Sequence, residues 1–272
     1  MRLLPNSPLA LVLALVLGGR AGAESPSAAP PAPEAPPRAL ACLTKWYPVE
    51  PVWVDGTWKA KLPGGETYPW DDGKLKSFEE RLNAPDLEDT FSLTYPTGPI
   101  APVTRENEDP GRIRFEPLFH ATYGASEDKV DVVGISFLGQ RMKVHRKVAP
   151  AFARVAKRLE AALAKEPELR PYLTKMGGTF NWRKIANTQR QSAHSYGVSI
   201  DLNTARSHYW EWAKPKEPVR WANRIPQVIV DAFEAEGFIW GGRWYHYDTM
   251  HFEYRPELLD PACHQARPAH AR

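Results

Sequence analysis

The chain has 272 residues, of which 43% are apolar and 25% charged, enough for one or two domains with a real core and ordinary for a globular protein rather than a disordered one. The formal charge of +3 falls to +1 once residues 1–23 are set aside, because that segment carries Arg2 and Arg20 and no acid. A near-neutral chain has no electrostatic footprint for nucleic acid, so that class of partner is excluded despite a sequence pI of 8.8.

In chain order, Arg2 opens a short basic region, Leu9 to Leu17 is apolar but too short to span a bilayer, and Ala21-Gly22-Ala23 is a small-x-small signal. Together they read as a secretory signal peptide over 1–23, which implies a periplasmic or secreted protein with no stable membrane insertion after cleavage. Residues 24–38 follow as a Pro/Ala-rich linker; Glu24 to Pro37 alone holds six Pro and four Ala, which cannot bury a core. Leu40-Ala41-Cys42 looks like a lipidation site but lies too far beyond the apolar run. Cys42 and Cys263, the only cysteines, stand near the two ends of the mature chain, and an oxidising compartment favours a disulfide between them.

The folded part is expected over 39–265, with an N-terminal extension at 39–109, a core at about 110–258 and a loose tail at 266–272. Turn pairs such as Gly64-Gly65 and Asp71-Asp72-Gly73 give the extension irregular structure with short strands. Arg112 to Tyr123 and Val130 to Phe137 read as strands. Val148, Phe152, Val155, Leu159 and Leu163 recur every three or four residues, which predicts an amphipathic helix of about four turns. A second helix opens at Pro226 and stops at Gly237, and Phe238-Ile239-Trp240 is a buried strand after it. The mixture is α+β.

Two constellations carry chemistry. Val198 to Leu202 alternates as a strand, with Asp201 on the face opposite Val198, Ile200 and Leu202, and His194 stands in the loop before it. A buried carboxylate needs a partner, and a metal is one. Downstream, Asp248 precedes His251 by three residues inside aromatic surroundings. Two His and one carboxylate form a known catalytic zinc set with a free fourth position, and a further acid can handle protons. His194, Asp201 and His251 are therefore candidate ligands with Asp248 as base, against ordinary capping and ion-pair roles. His246 keeps open a rival set of His194, His246 and His251.

Both constellations resemble the M15 peptidases, the family of D-alanyl-D-alanine carboxypeptidases and L-alanyl-D-glutamate endopeptidases. Ser192, His194, Gly197 and Asp201 match the signature S-x-H-x-x-G-x-A-x-D, with Ser199 in place of the Ala; Asp248 and His251 match [DE]-x-x-H. The resemblance implies a small antiparallel sheet with flanking helices, the fold shared with the hedgehog signalling domain. It implies Zn2+ on His194, Asp201 and His251, Asp248 as general base, and hydrolysis of peptidoglycan stem peptides, with a monomer expected. Arg183 resembles the family arginine that holds a substrate carboxylate or polarises the carbonyl; Arg190 and Lys184 compete for that role, and a surface salt bridge is the plain alternative. Ser192 either bonds substrate or caps a turn, and Glu253 either orients a ligating His or is simply a strand residue. Asp248, where carboxypeptidase members carry Glu, leaves the bond cleaved open. The rival from another class is a metal-containing cell-envelope binding module on the same fold.

Overall fold

Turn chemistry sets the first sheet. The computed structural model describes residues 35–213 and 218–264; the expected signal peptide, most of the linker and the tail lie outside them. β1 (Glu50–Val54) and β2 (Thr57–Lys61) pair antiparallel around Asp55-Gly56, whose φ angles of 53° and 75° are those of a two-residue hairpin turn, and β3 (Thr67–Pro69) adds to β2. Before them, α1 (Arg38–Leu43) buries Ala39, Leu40 and Leu43. It also carries Cys42, bonded to Cys263 with the two Cα atoms 5.1 Å apart. Arg38 and Lys45 reinforce that closure through Ala262 and Asp260. After the sheet, α2 (Phe78–Asn83) starts in a capping box made by Ser77 and Glu80. Among the described residues the extension is thus part of the same compact unit as the rest of the chain, and it closes on the C-terminal end through Cys263.

Residues 112–123 differ from the strand that their apolar-aromatic run predicts. Glu116–Tyr123 is a helix, α3, with Pro117 in its first turn and Gly124 at φ 118° after its end. Leu118, Phe119, Thr122 and Tyr123 are its buried residues, a spacing that repeats every four positions and lays one helical face on the core. The neighbouring expectation holds: β4 (Val132–Phe137) is a strand, and it pairs with β5 (Gln140–His145) across Leu138-Gly139.

The two long-period helices form as their patterns require. α4 (Ala149–Lys165) buries Phe152, Val155 and Leu159 completely. Each such side chain contributes about 1.5–3 kcal/mol by leaving water. α5 (Gln227–Glu234) follows Pro226, and the chain turns at Gly237 with φ 89°. Phe152, Phe233, Phe238 and Phe252 pack together from both helices and the sheet beside them, the last two pairs at ring separations of 4.9 Å (Phe152–Phe238) and 4.1 Å (Phe233–Phe252). That sheet has the order β6 (Ser199–Asp201), β8 (His251–Tyr254), β7 (Phe238–Trp240), all antiparallel. Among the described residues, no helix is long and apolar enough to cross a membrane.

Candidate metal centre and its cleft

Strand register brings the two sequence constellations together. β6 and β8 pair Asp201 with His251, Ile200 with Phe252, and Ser199 with Glu253. Because side chains alternate across a strand, Ile200 and Phe252 enter the core, while Asp201 and His251 meet on the opposite face with Cβ atoms roughly 5 Å apart. His194 comes from the short turn Ala193–Tyr196, capped at its start by Ser192, whose Oγ accepts the His194 N–H at 3.3 Å. Gly197 ends that turn at φ 65°; a Cβ there would lie 2.7 Å from the His145 nitrogen, so only glycine fits. Gly177 and Gly178 run beside Asp201, exchanging backbone hydrogen bonds with it at 2.8 and 2.9 Å. A side chain at Gly177 would strike the Asp201 Cβ at 2.9 Å.

The inward atoms of His194, Asp201 and His251 all lie within 4.8 Å of one another. His194 Nε2 stands 3.2 Å from Asp201 Oδ2, and His251 Nδ1 stands 3.0 Å from Asp201 Oδ1. The outer nitrogens face acceptors: His194 Nδ1 lies 2.5 Å from the Thr179 carbonyl and His251 Nε2 3.4 Å from Glu253. Protons on those outer nitrogens leave both inner lone pairs pointing at a carboxylate, an arrangement that asks for a cation. Two orphaned atoms mark the same place, since His194 Nε2 and Asp248 Oδ1 are buried without a hydrogen bond. The residues present therefore fit a metal, and two imidazoles with one carboxylate suit zinc.

With protons alone in the site, burial lowers the His251 imidazolium, but the bonds to Asp201 and Glu253 outweigh it and hold it up at about 10. Against the cost of burial, His194 and His251 hold the Asp201 carboxyl well below the usual range. Asp248 moves the other way: burial, then the negative charge of Asp201, pushes it up to about 7. That suits a group that must accept and return a proton near neutrality.

His246 does not join this set. Its Nδ1 lies 2.6 Å from Asp109 Oδ2, and its ring meets Trp210 edge-on at 4.8 Å, so the three-His alternative is not assembled. Asp109 is wholly buried and also binds Arg112 at 2.6 Å. Glu253, buried and ion-paired to Arg114 at 2.8 Å, is the acid that faces His251. The centre opens into a cleft of about 330 Å³. Arg183, Arg190 and Ser192 line it beside His194, with Tyr209, Trp210 and Trp244 among the aromatic walls. Arg183 is exposed and makes no ion pair among the described residues. The strap ahead of α3 holds the loop that carries Asp248: Gly98 accepts from Arg243, Glu108 from the Tyr245 amide and Pro110 from the Trp244 indole.

Thr179, Asp109 and Arg114 are contributions that sequence reasoning missed. Thr179 acts through its main chain, and the other two stand 137 and 139 positions from the atoms they fix. The Gly177-Gly178 pair, which the sequence reading passed over, is a local signal of a close backbone approach.

Residues 186–254 match the family model described as D-alanyl-D-alanine carboxypeptidase, a segment that holds all three ligand candidates and Asp248. No solved structure matches the chain at a significant level.

Proposed function

We propose, from the premise that this chain is a peptidase of the M15 family, that it is a zinc-dependent hydrolase of peptidoglycan stem peptides acting outside the cytoplasmic membrane. The observation that carries the reading is the convergence of His194 Nε2, His251 Nδ1 and the Asp201 carboxylate, with both outer imidazole nitrogens already facing acceptors. The fold would be the one such peptidases share with the hedgehog domain. The disulfide between Cys42 and Cys263 fits an exported chain.

His194, Asp201 and His251 would hold the zinc, which when bound lowers the pKa of water and polarises a carbonyl. Asp248, its Oδ1 buried and unpartnered, takes a proton from the attacking water and returns it to the amide nitrogen as the C–N bond breaks. Arg183, free on the cleft wall, holds a substrate carboxylate or the carbonyl oxygen. Ser192 fixes the turn that aims His194 and leaves its face of the cleft polar. Trp244 and Met250, both nearly buried, form apolar walls of the cleft beside the site.

The test is mass spectrometry of defined muropeptides incubated with the mature, zinc-loaded protein, which also identifies the bond cut. Asp248→Asn is expected to keep stoichiometric zinc and lose at least about 100-fold in turnover, the usual worth of a general base. Zinc-loaded protein that cleaves no muropeptide would leave the binding-module reading standing; freshly purified protein without stoichiometric metal would end both.

A further inference from the structure

Four arginines line the cleft, and they are not equivalent. Arg112 is ion-paired to Asp109 at 2.6 Å and Arg114 to Glu253 at 2.8 Å. Arg183 reaches solvent. Arg190 has neither solution: it is half-buried, its Nε is screened from water without a hydrogen bond, and its side chain makes no ion pair among the described residues. We propose that Arg190, with Arg112 beside it, forms a second anion subsite in the cleft, which takes a carboxylate of the peptide substrate other than the group held at the scissile bond. This rests on the peptidase reading of the same site.

The local chain is built to hold Arg190 there. Residues 184–191 form a small hairpin: Lys184 bridges Gln191, and the Ile185 amide donates to the Arg190 carbonyl at 2.9 Å. Ser195 pins its base by accepting the Arg183 N–H at 2.9 Å, and the Ser192 amide donates to the Arg183 carbonyl at 3.0 Å. Arg183 and Arg190 therefore stand on opposite arms of one pinned turn, both facing the cleft.

The electrostatics of the place are unfavourable without a ligand. Burial first, then repulsion from Arg114 and Arg112, pushes the Arg190 guanidinium down to about 10. Glu116 is the nearest opposing charge, and its Oε1 is already taken by the Gln191 amide at 2.6 Å. A desolvated cation among like charges is costly, and an incoming anion removes that cost while accepting a forked pair of hydrogen bonds. A carboxylate fits that fork, and a substrate with carboxylates at two places would engage both arms of the hairpin. The substrate class is thus narrowed to peptides with at least two free carboxylates.

The experiment uses the zinc-loaded mature chain, a muropeptide that it cleaves, and versions of that peptide amidated at one carboxylate at a time. In the wild type, one amidation distant from the cleaved bond should lower kcat/KM by about 10- to 100-fold, the worth of a charged, forked hydrogen bond. In Arg190→Gln the same amidation should cost less than about threefold, and in Arg190→Lys an intermediate amount, since charge is kept and the fork lost. If Arg190→Gln lowers hydrolysis of every version equally, the residue is structural and the subsite is refuted; the same holds if no amidation distinguishes wild type from variant. If the wild type cleaves nothing, the peptidase reading has failed, and calorimetric binding of the same peptides to wild type and Arg190→Gln still decides whether the subsite exists.

Discussion

Two clusters of charged side chains in this molecule have opposite characters. In the extension, Asp72, Asp86 and Asp89 close around Lys76, whose ammonium lies 3.1, 3.0 and 2.7 Å from them. In the core, Asp201 stands between two imidazoles whose inner nitrogens have no proton to offer once the outer ones carry it. The first cluster brings its own cation and is complete; Lys76 is held protonated beyond its usual range by those three acids, against burial. The second is incomplete, with His194 Nε2 and Asp248 Oδ1 orphaned beside it. Proximity of acids is therefore a poor sign of a metal site; what distinguishes one is partners, here imidazoles, that can give up a proton to a metal.

That contrast breaks most sharply at Asp201. Asp201→Asn should lose stoichiometric zinc and reduce muropeptide turnover by more than about 100-fold, whereas Asp86→Asn should change neither; elemental analysis and turnover measured on both variants check this. Lys76→Met should produce the next largest effect, on stability alone. It leaves three acids facing one another, and the cost is expected at about 2–3 kcal/mol in denaturant unfolding, with turnover per folded molecule unchanged.

Acidity separates the clusters further. In chelator-treated protein, the His251 imidazolium is held at about 10, above the ordinary histidine value of about 6.5. Its contribution to stability is complete below about pH 6.5 and is lost as pH rises toward about 10. The melting temperature of the metal-free protein should accordingly fall by on the order of 5 °C across that interval, and the zinc-loaded protein should show little of the decline. Equal slopes with and without zinc would mean that the metal does not displace the His251 proton. The smallest effect is expected at Asp109, a third buried acid, which Arg112 and His246 neutralise from within. Asp109→Asn should leave zinc in place and lower kcat/KM by about 10-fold through a loosened cleft wall.

Much of the site was legible in the sequence because its parts are local. The spacing of Ser192, His194, Gly197 and Asp201 is one capped turn, one left-handed glycine and one strand, each specified by residues a few positions apart. The periods of α4 and α5 were legible for the same reason, since a helix buries a face that its own sequence spells out. Residues 112–123 were misread because Leu118, Phe119 and Tyr123 also suit a short strand, and only their burial against the core shows a helical face.

The sequence by itself nominated a donor set and an export address and paired the two cysteines, the pairing that the structure contains: residue chemistry, composition and position need no fold to be read. Tertiary structure alone decided which histidine stands with Asp201, because His246 and His251 are both near Asp248 and are told apart by Asp109 and by the strand register that sets His251 opposite Asp201. It alone decided that Arg190 is unpaired while Arg112 and Arg114 are matched. Those outcomes depend on which distant acid arrives beside each basic group, and charge pairing acts through space, over a few ångströms, with no trace in the order of the chain.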